Sequence, residues 1–143
     1  MVIDHIGIVV KSLEAGITHW EQVFGYQRLT DPVLNTRQKV KVVFLCKKDS
    51  LTVKLIEPAD ETSVIYALAK RGGGLHHICF KSDDMSGELD RLKSQGCRLL
   101  AGPQPGEAFE NEDIAFLFAK QGLNIEIIDT DKRAARVLSE DDC

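Results

Sequence analysis

The sequence lacks the marks of export, membrane insertion and nucleic-acid binding. No stretch approaches the roughly 20 apolar residues a membrane helix needs. The start, Met1-Val2-Ile3-Asp4-His5, has no basic opening or apolar core of a signal peptide and passes straight into a strand-like pattern, so a cytoplasmic protein is expected. Lys and Arg total 18 against 22 Asp and Glu, a formal charge of −4, and they nowhere cluster into a footprint for nucleic acid. Neither nucleic acid nor membrane is therefore an expected partner. The four cysteines, at 46, 79, 97 and 143, include no C-x-x-C pair. They are read as reduced thiols without catalytic or metal roles, Cys46 and Cys79 inside apolar strands and Cys143 at a mobile end.

What is present suits one globular domain. The chain has 143 residues, 43% of them hydrophobic and 28% charged, enough to bury a sizeable core. Its most informative property is an internal repeat at an offset of 72 residues. His5-Ile6 matches His77-Ile78, Val42 to Leu45 matches Ile114 to Leu117, and Thr52 to Ile56 matches Asn124 to Ile128.

Each copy reads as βαβββ. Residues 2–10 alternate and are rich in Ile and Val, as a strand should be. Ser12 is a good helix cap, Leu13, Ile17, Trp20 and Phe24 follow at helical spacing as core residues, and Gly25 stops the helix. Strands follow near 26–30, 39–46 and 51–57. The second copy has a strand at 74–82, a helix at about 85–95 between Asp84 and Gly96, and strands near 97–100, 112–119 and 123–129. The predicted fold is α+β: two tandem βαβββ modules whose curved sheets enclose a shared cup. The first module spans about 2–58, a connector with a short helix at Ser63–Lys70 spans 59–73, the second module spans about 74–129, and a polar, partly disordered tail spans 130–143.

Strand parity then sorts the chemistry-bearing residues. His5 shares a face with Gly7 and Val9, and Lys54 with Thr52 and Ile56. The repeat puts His77 where His5 is and Glu126 where Lys54 is. If the His5 face points into the cup, His5, Lys54, His77 and Glu126 meet around a pseudo-twofold axis. Imidazole and carboxylate donors suit a divalent metal in an open site, with Zn, Mn, Co, Ni and Fe all compatible. The bland alternative is a pair of packed core histidines. His76 is expected on the opposite face and His19 on the surface. Residues 102–111 read as a long loop that could fold over the cup as a lid, bringing Phe109 and Glu110 to a ligand.

Asp4 to Val10, Gly74 to Ile78 and Asn124 to Ile127 together resemble the vicinal oxygen chelate superfamily, which includes glyoxalase I, extradiol dioxygenases, fosfomycin-resistance proteins and methylmalonyl-CoA epimerase. The epimerase branch is matched most fully, through Leu55-Ile56-Glu57-Pro58, Arg71 to Ile78 and the Ala115-Phe116-Leu117 strand, and the resemblance covers residues 2–129. It implies that His5, His77 and Glu126 are metal ligands, that Glu126 is ligand and base in turn, and that the chain pairs as a homodimer. It implies an epimerase, isomerase or lyase that acts through an enolate on a small acid or thioester. The fourth ligand of such relatives, Glu or Gln, is Lys54 here, and an ammonium has no lone pair to give. Lys54 can swing aside from a three-ligand metal, take the metal's place beside Glu126 as a metal-free electrophile, or snorkel to the rim. No carboxylate is found over Lys39–Val43 for the second acid or base. A metal-free small-molecule binding protein and an interaction module for a pathway enzyme are the competing functions.

Overall fold

Alternation builds the first strand, β1 (Val2–Val9), and buries His5, Gly7 and Val9 on one face. The computed structural model describes the backbone of residues 1–143 and every side chain except that of Glu140. The helix α1 (Leu13–Phe24) starts where Ser12 accepts a hydrogen bond from the Ala15 amide at 3.2 Å and stops at Gly25, whose φ of 71° suits a residue without Cβ. Then come β2 (Gln27–Arg28), β3 (Val33–Asn35), β4 (Val40–Cys46), β5 (Thr52–Pro58) and the short α2 (Tyr66–Lys70). The second half repeats the plan with β6 (Gly74–Lys81), α3 (Met85–Ser94, capped by Asp84), β7 (Arg98–Gly106), β8 (Glu112–Ala119) and β9 (Leu123–Ile128). Among the described residues no helix is long and apolar enough to cross a membrane.

The strands form one curved, unclosed sheet in the order β2-β4-β5-β1-β6-β9-β8-β7, with β3 on β4. At its centre β1 and β6 run antiparallel, and Ile6 pairs with Ile78, its own repeat equivalent, so the pseudo-twofold axis passes between them. Parity assigns the two faces. Leu13 and Ile17 pack on Val43, Leu45, Val53 and Leu55, and Met85, Leu89 and Leu92 pack on Ala115, Leu117, Ile125 and Ile127. Apart from Leu92, whose mate Trp20 is only partly buried, these are the same positions in each half, 72 apart. The residues between them, Val42, Phe44, Lys54 and Ile56 with Ile114, Phe116, Glu126 and Ile128, face the concave side.

Several sequence expectations are corrected here. The first half of the segment expected to be a lid is strand: β7 continues to Gly106, Gln104 pairs with Ile114, and its prolines are tolerated because β7 is an edge strand. A 3-10 turn at Glu107–Phe109 follows, and Phe109 is buried in the core at 1% exposure, so it cannot swing as a lid residue. Phe24 is 44% exposed because it lies in the last turn of α1, beyond the edge of the surface that the helix covers. The tail is ordered. It crosses to the first half, where the Asp31 amide donates to Ala135, the Val137 amide to Leu29, and the Ala134 amide to Ala108, each at 2.9 Å. That return brings Cys143 onto the end of β4, where it forms a disulfide with Cys46, so these two are not free thiols. Nothing in a linear pattern reveals a contact between residues 97 apart. Cys79 and Cys97 are free.

Candidate active site

The four residues singled out by the repeat meet. Gly7 of β1 lies beside Lys54 of β5, and Cys79 of β6 lies beside Glu126 of β9, the same register in each half. His5, Lys54, His77 and Glu126 are all at or below 3% exposure. Glu126 Oε2 is the hub: it lies 3.1 Å from His5 Nε2 and 2.9 Å from His77 Nε2, and Lys54 Nζ lies 3.4 and 3.5 Å from Oε1 and Oε2. The two imidazoles approach within 3.3 Å through their Nε2 atoms.

The symmetry extends one layer further out. Asp4 Oδ2 lies 2.6 Å from His5 Nδ1, and His76 Nδ1 lies 2.8 Å from His77 Nδ1. Asp4 and His76 are repeat equivalents. Each sits where the β1–β6 register shifts, between Ile3 and His5 and opposite the Gly7–Ile8 step, and such a bulge turns a residue toward the face its neighbour uses. Strict alternation had placed His76 on the other face; the bulge brings it to the site. The signal was available, since Asp4 and His76 obey the same 72-residue offset, but parity counting ignores bulges. Arg133 carried no such signal. Its guanidinium donates through Nη2 to Asp4 Oδ2 at 2.5 Å and lies 4.8 and 4.9 Å from the centroids of Phe44 and Phe109.

A cavity of about 620 Å³ opens on this cluster. Lys54, His76 and His77 line its inner end with Phe116 and Asn124, and exposed Arg37 and Lys39 stand on its wall further out. Glu126 and His5 lie one layer behind and do not line it.

Electrostatics fix the protonation pattern. Burial alone would raise the Glu126 carboxyl, but the Lys54 ammonium, His77 and the hydrogen bonds from both imidazoles outweigh it and hold the group well below the ordinary carboxylate range. Burial likewise opposes ionisation of Asp4, and the His5 hydrogen bond and Arg133 charge more than offset it, leaving its pKa lowered. Burial pushes His77 down to about 4 against the pull of Glu126. Neutral His77 then donates from Nε2 to Glu126 and accepts from His76 at Nδ1, which leaves His76 Nε2 with a free lone pair. Burial, then Lys54, keeps the pKa of His76 lowered too. Asp4 accepts from Arg133 and is ionised, so the hydrogen between Asp4 and His5 belongs to Nδ1.

One prediction follows from His77. A histidine whose folded pKa lies below its unfolded value withholds a proton that the unfolded chain binds. Stability should fall as pH drops from about 6.5 to about 4 and this loss should level off below. From His77 alone the loss is on the order of 3 kcal/mol. Asp4 and Glu126 add to acid sensitivity at lower pH. Urea unfolding at pH 7, 5.5 and 4 checks this, and a flat profile between pH 6.5 and 4 contradicts it.

The donor set tests whether a divalent metal fits. Ligand atoms of His5, His77 and Glu126 lie within 4.8 Å of one another and could hold an ion, with Asp4 orienting His5 as outer partners of metal-bound histidines do. The fourth side carries Lys54 Nζ, a cation already seated on the Glu126 carboxylate. Among the described residues Lys54 and Arg133 balance Glu126 and Asp4, so a dication would add uncompensated buried charge. The full set does not fit a metal while Lys54 keeps its place.

Residues 4–118 match the Glyoxalase/Bleomycin resistance protein/Dioxygenase superfamily. The chain belongs to this superfamily. Among its members, the ethylmalonyl-CoA/methylmalonyl-CoA epimerase of Cereibacter sphaeroides is 28% identical over 120 residues, 82% of this chain and 88% of that one. The methylmalonyl-CoA epimerase of Mycobacterium tuberculosis superposes with a TM-score of 0.78 at 32% identity, covering 90% of this chain and 87% of that one. A methylmalonyl-CoA epimerase solved with methylmalonyl-CoA and NH4+ gives a TM-score of 0.79 at 28% identity, over 96% and 98% of the two chains. The nine-stranded open sheet with three helices is thus the fold of that branch of the superfamily.

Proposed function

We propose that the chain is an isomerase of the epimerase type, moving the α-proton of a small acyl thioester or acid through an enolate. The observation that carries the proposal is the buried Lys54–Glu126–His77–His76 cluster at the inner end of a ligand-sized cavity, on a fold whose relatives act on methylmalonyl-CoA.

In this reading Lys54 is the electrophile. A thioester carbonyl oxygen beside its ammonium gains negative charge as the enolate forms, and a cation in a water-poor site stabilises that charge more than it stabilises the ground state. The neutral imidazole of His76 is the group placed to accept the proton, with His77 and Glu126 arranged behind it to spread the positive charge; the proton returns from the His76 imidazolium to one face of the planar enolate, and water in the cavity delivers one to the other face, which inverts C2. Glu126 acts from behind, holding both Lys54 and His77. The modules at 2–58 and 74–129 contribute equally, one lending the electrophile and the other the proton acceptor. A metal at His5, His77 and Glu126, whether Co, Mn, Ni, Zn or Fe, would need Lys54 displaced. The homodimer suggested by the family resemblance belongs to this proposal and is read from sedimentation equilibrium.

The test is proton exchange. Incubated in D2O without added metal, the protein should replace the C2 hydrogen of methylmalonyl-CoA or a related 2-substituted acyl thioester with deuterium, followed by NMR, and should interconvert the two C2 epimers. Tight binding across the panel with no exchange would sink the enzyme and favour a binding protein, the second reading. That reading draws on Lys54 in the metal's place and on the absence of a carboxylate facing the cavity among the described residues.

A further inference from the structure

Arg133 is a buried arginine on a polar tail, and a buried arginine needs a reason. Its exposure is 6%, one guanidinium nitrogen donates to the Lys132 carbonyl at 3.0 Å and another to Asp4, and its Nε is buried without a partner among the described residues. A buried unpaired donor is costly, and an arginine turned to solvent would avoid that cost. What holds it inside is specific. Its guanidinium lies over Phe44 and Phe109, the same rings that pack around His5 (centroids 5.2 and 6.2 Å) and lie beneath the Lys54 ammonium (5.7 and 5.1 Å). Arg133 thus shares the aromatic cradle in which the cluster sits, and its charge reaches the cluster through Asp4 and His5.

We infer that Arg133 is a positioning residue: it fixes Asp4, Asp4 fixes the His5 ring, and the tail that delivers Arg133 is an integral part of the site. Three features beside the ion pair support this. The tail is pinned on either side of Arg133, by Asp131 on Lys81 before it and by the Ala134, Ala135 and Val137 backbone bonds after it. It is tied at its far end by the Cys46–Cys143 disulfide, and Cys46 ends the strand that carries Phe44. At the other end of the site the neutral His76 takes Asp4's place, so among the described residues only the His5 end has an outer carboxylate for a buried cation to stabilise.

The experiment uses the full chain with its disulfide intact. Long-range 1H–15N spectra of the imidazoles, with His5 assigned through His5→Gln, are compared for the wild type, Arg133→Met and Arg133→Lys. Deuterium exchange on methylmalonyl-CoA gives kcat and KM. Arg133→Met should move both His5 nitrogens and lower kcat about 10-fold or more, the usual scale for an outer partner of a site histidine, with KM little changed. Arg133→Lys should recover part of both, and it carries the test if Arg133→Met does not fold. A fall in Tm with His5 resonances and kcat unmoved would overturn the inference, leaving Arg133 as a tail anchor. The kcat arm rests on the proposed isomerase. Should the wild type exchange no thioester, that proposal fails while the His5 spectra still decide the role of Arg133.

Discussion

Lys54→Gln should turn the cup into a metal centre. The substitution removes the ammonium from the Glu126 carboxylate and offers an amide oxygen at the fourth side, completing two imidazoles, a carboxylate and an amide. The wild type should stay colourless when titrated with Co(II), whereas the variant should bind about one equivalent through His5 and His77. The magnitudes favour a sharp contrast: two unit charges 4 Å apart repel by about 4 kcal/mol at an effective dielectric near 20, and a dication doubles this. Lys54→Met isolates the electrostatic part. It strips the buried Glu126 of its cation and should destabilise the protein by about 3–5 kcal/mol. Metal at a hundredfold excess over its Kd should return about 2.7 kcal/mol to either variant and nothing to the wild type. Stoichiometric Co(II) bound to the wild type through His5 and His77 would reverse the argument, showing that Lys54 yields its place.

Gly7→Ala should be as damaging as a large core deletion, although it adds one carbon. Gly7 lies opposite His77 in the central pair, and a Cβ there would sit 2.2, 2.5 and 2.6 Å from three atoms of the His77 ring. The ring cannot retreat cheaply, because its two nitrogens are held by Glu126 and His76. Overpacking of this kind costs about 1–3 kcal/mol, and the broken buried hydrogen bonds add to it. The cause can be isolated by a double-mutant cycle. In a His77→Ala background the same Gly7→Ala change should cost little, giving a coupling energy of about 2 kcal/mol or more by urea unfolding. An equal cost in both backgrounds would place the damage in the strand itself.

The sequence shows the symmetric parts of the molecule and hides the asymmetric ones. Positions 72 apart identify the central strands, the helix-facing residues Val43, Leu45, Val53 and Leu55 with their mates, and the meeting of His5, Lys54, His77 and Glu126. Those follow from periods of two and 3.6 residues, which are local. The short β3 and the length of β7 were missed because edge strands answer to pairing partners more than to their own pattern. Alternation puts His76 on the opposite face from the site, and the structure differs because a bulge takes up one residue without changing composition. Arg133 and the Cys46–Cys143 bridge belong to a polar segment whose order comes from backbone bonds to Leu29, Asp31 and Ala108, none of which leaves a mark in its own sequence.

The disulfide that ends the tail has a topological meaning as well. A chain of two similar halves can in principle lend its second half to the first half of another copy, since each central strand finds an equivalent edge there. Here residues 46 through 143 are closed into a covalent ring that contains β5, β6 and the whole of the second half. While the bridge is intact, the second half is leashed at both ends to its own first half, and any exchange with a neighbour's would have to stretch both tethers at once. Lys54 and Glu126 lie on that one ring, so the bridge also limits how far the two partners of the central ion pair can separate.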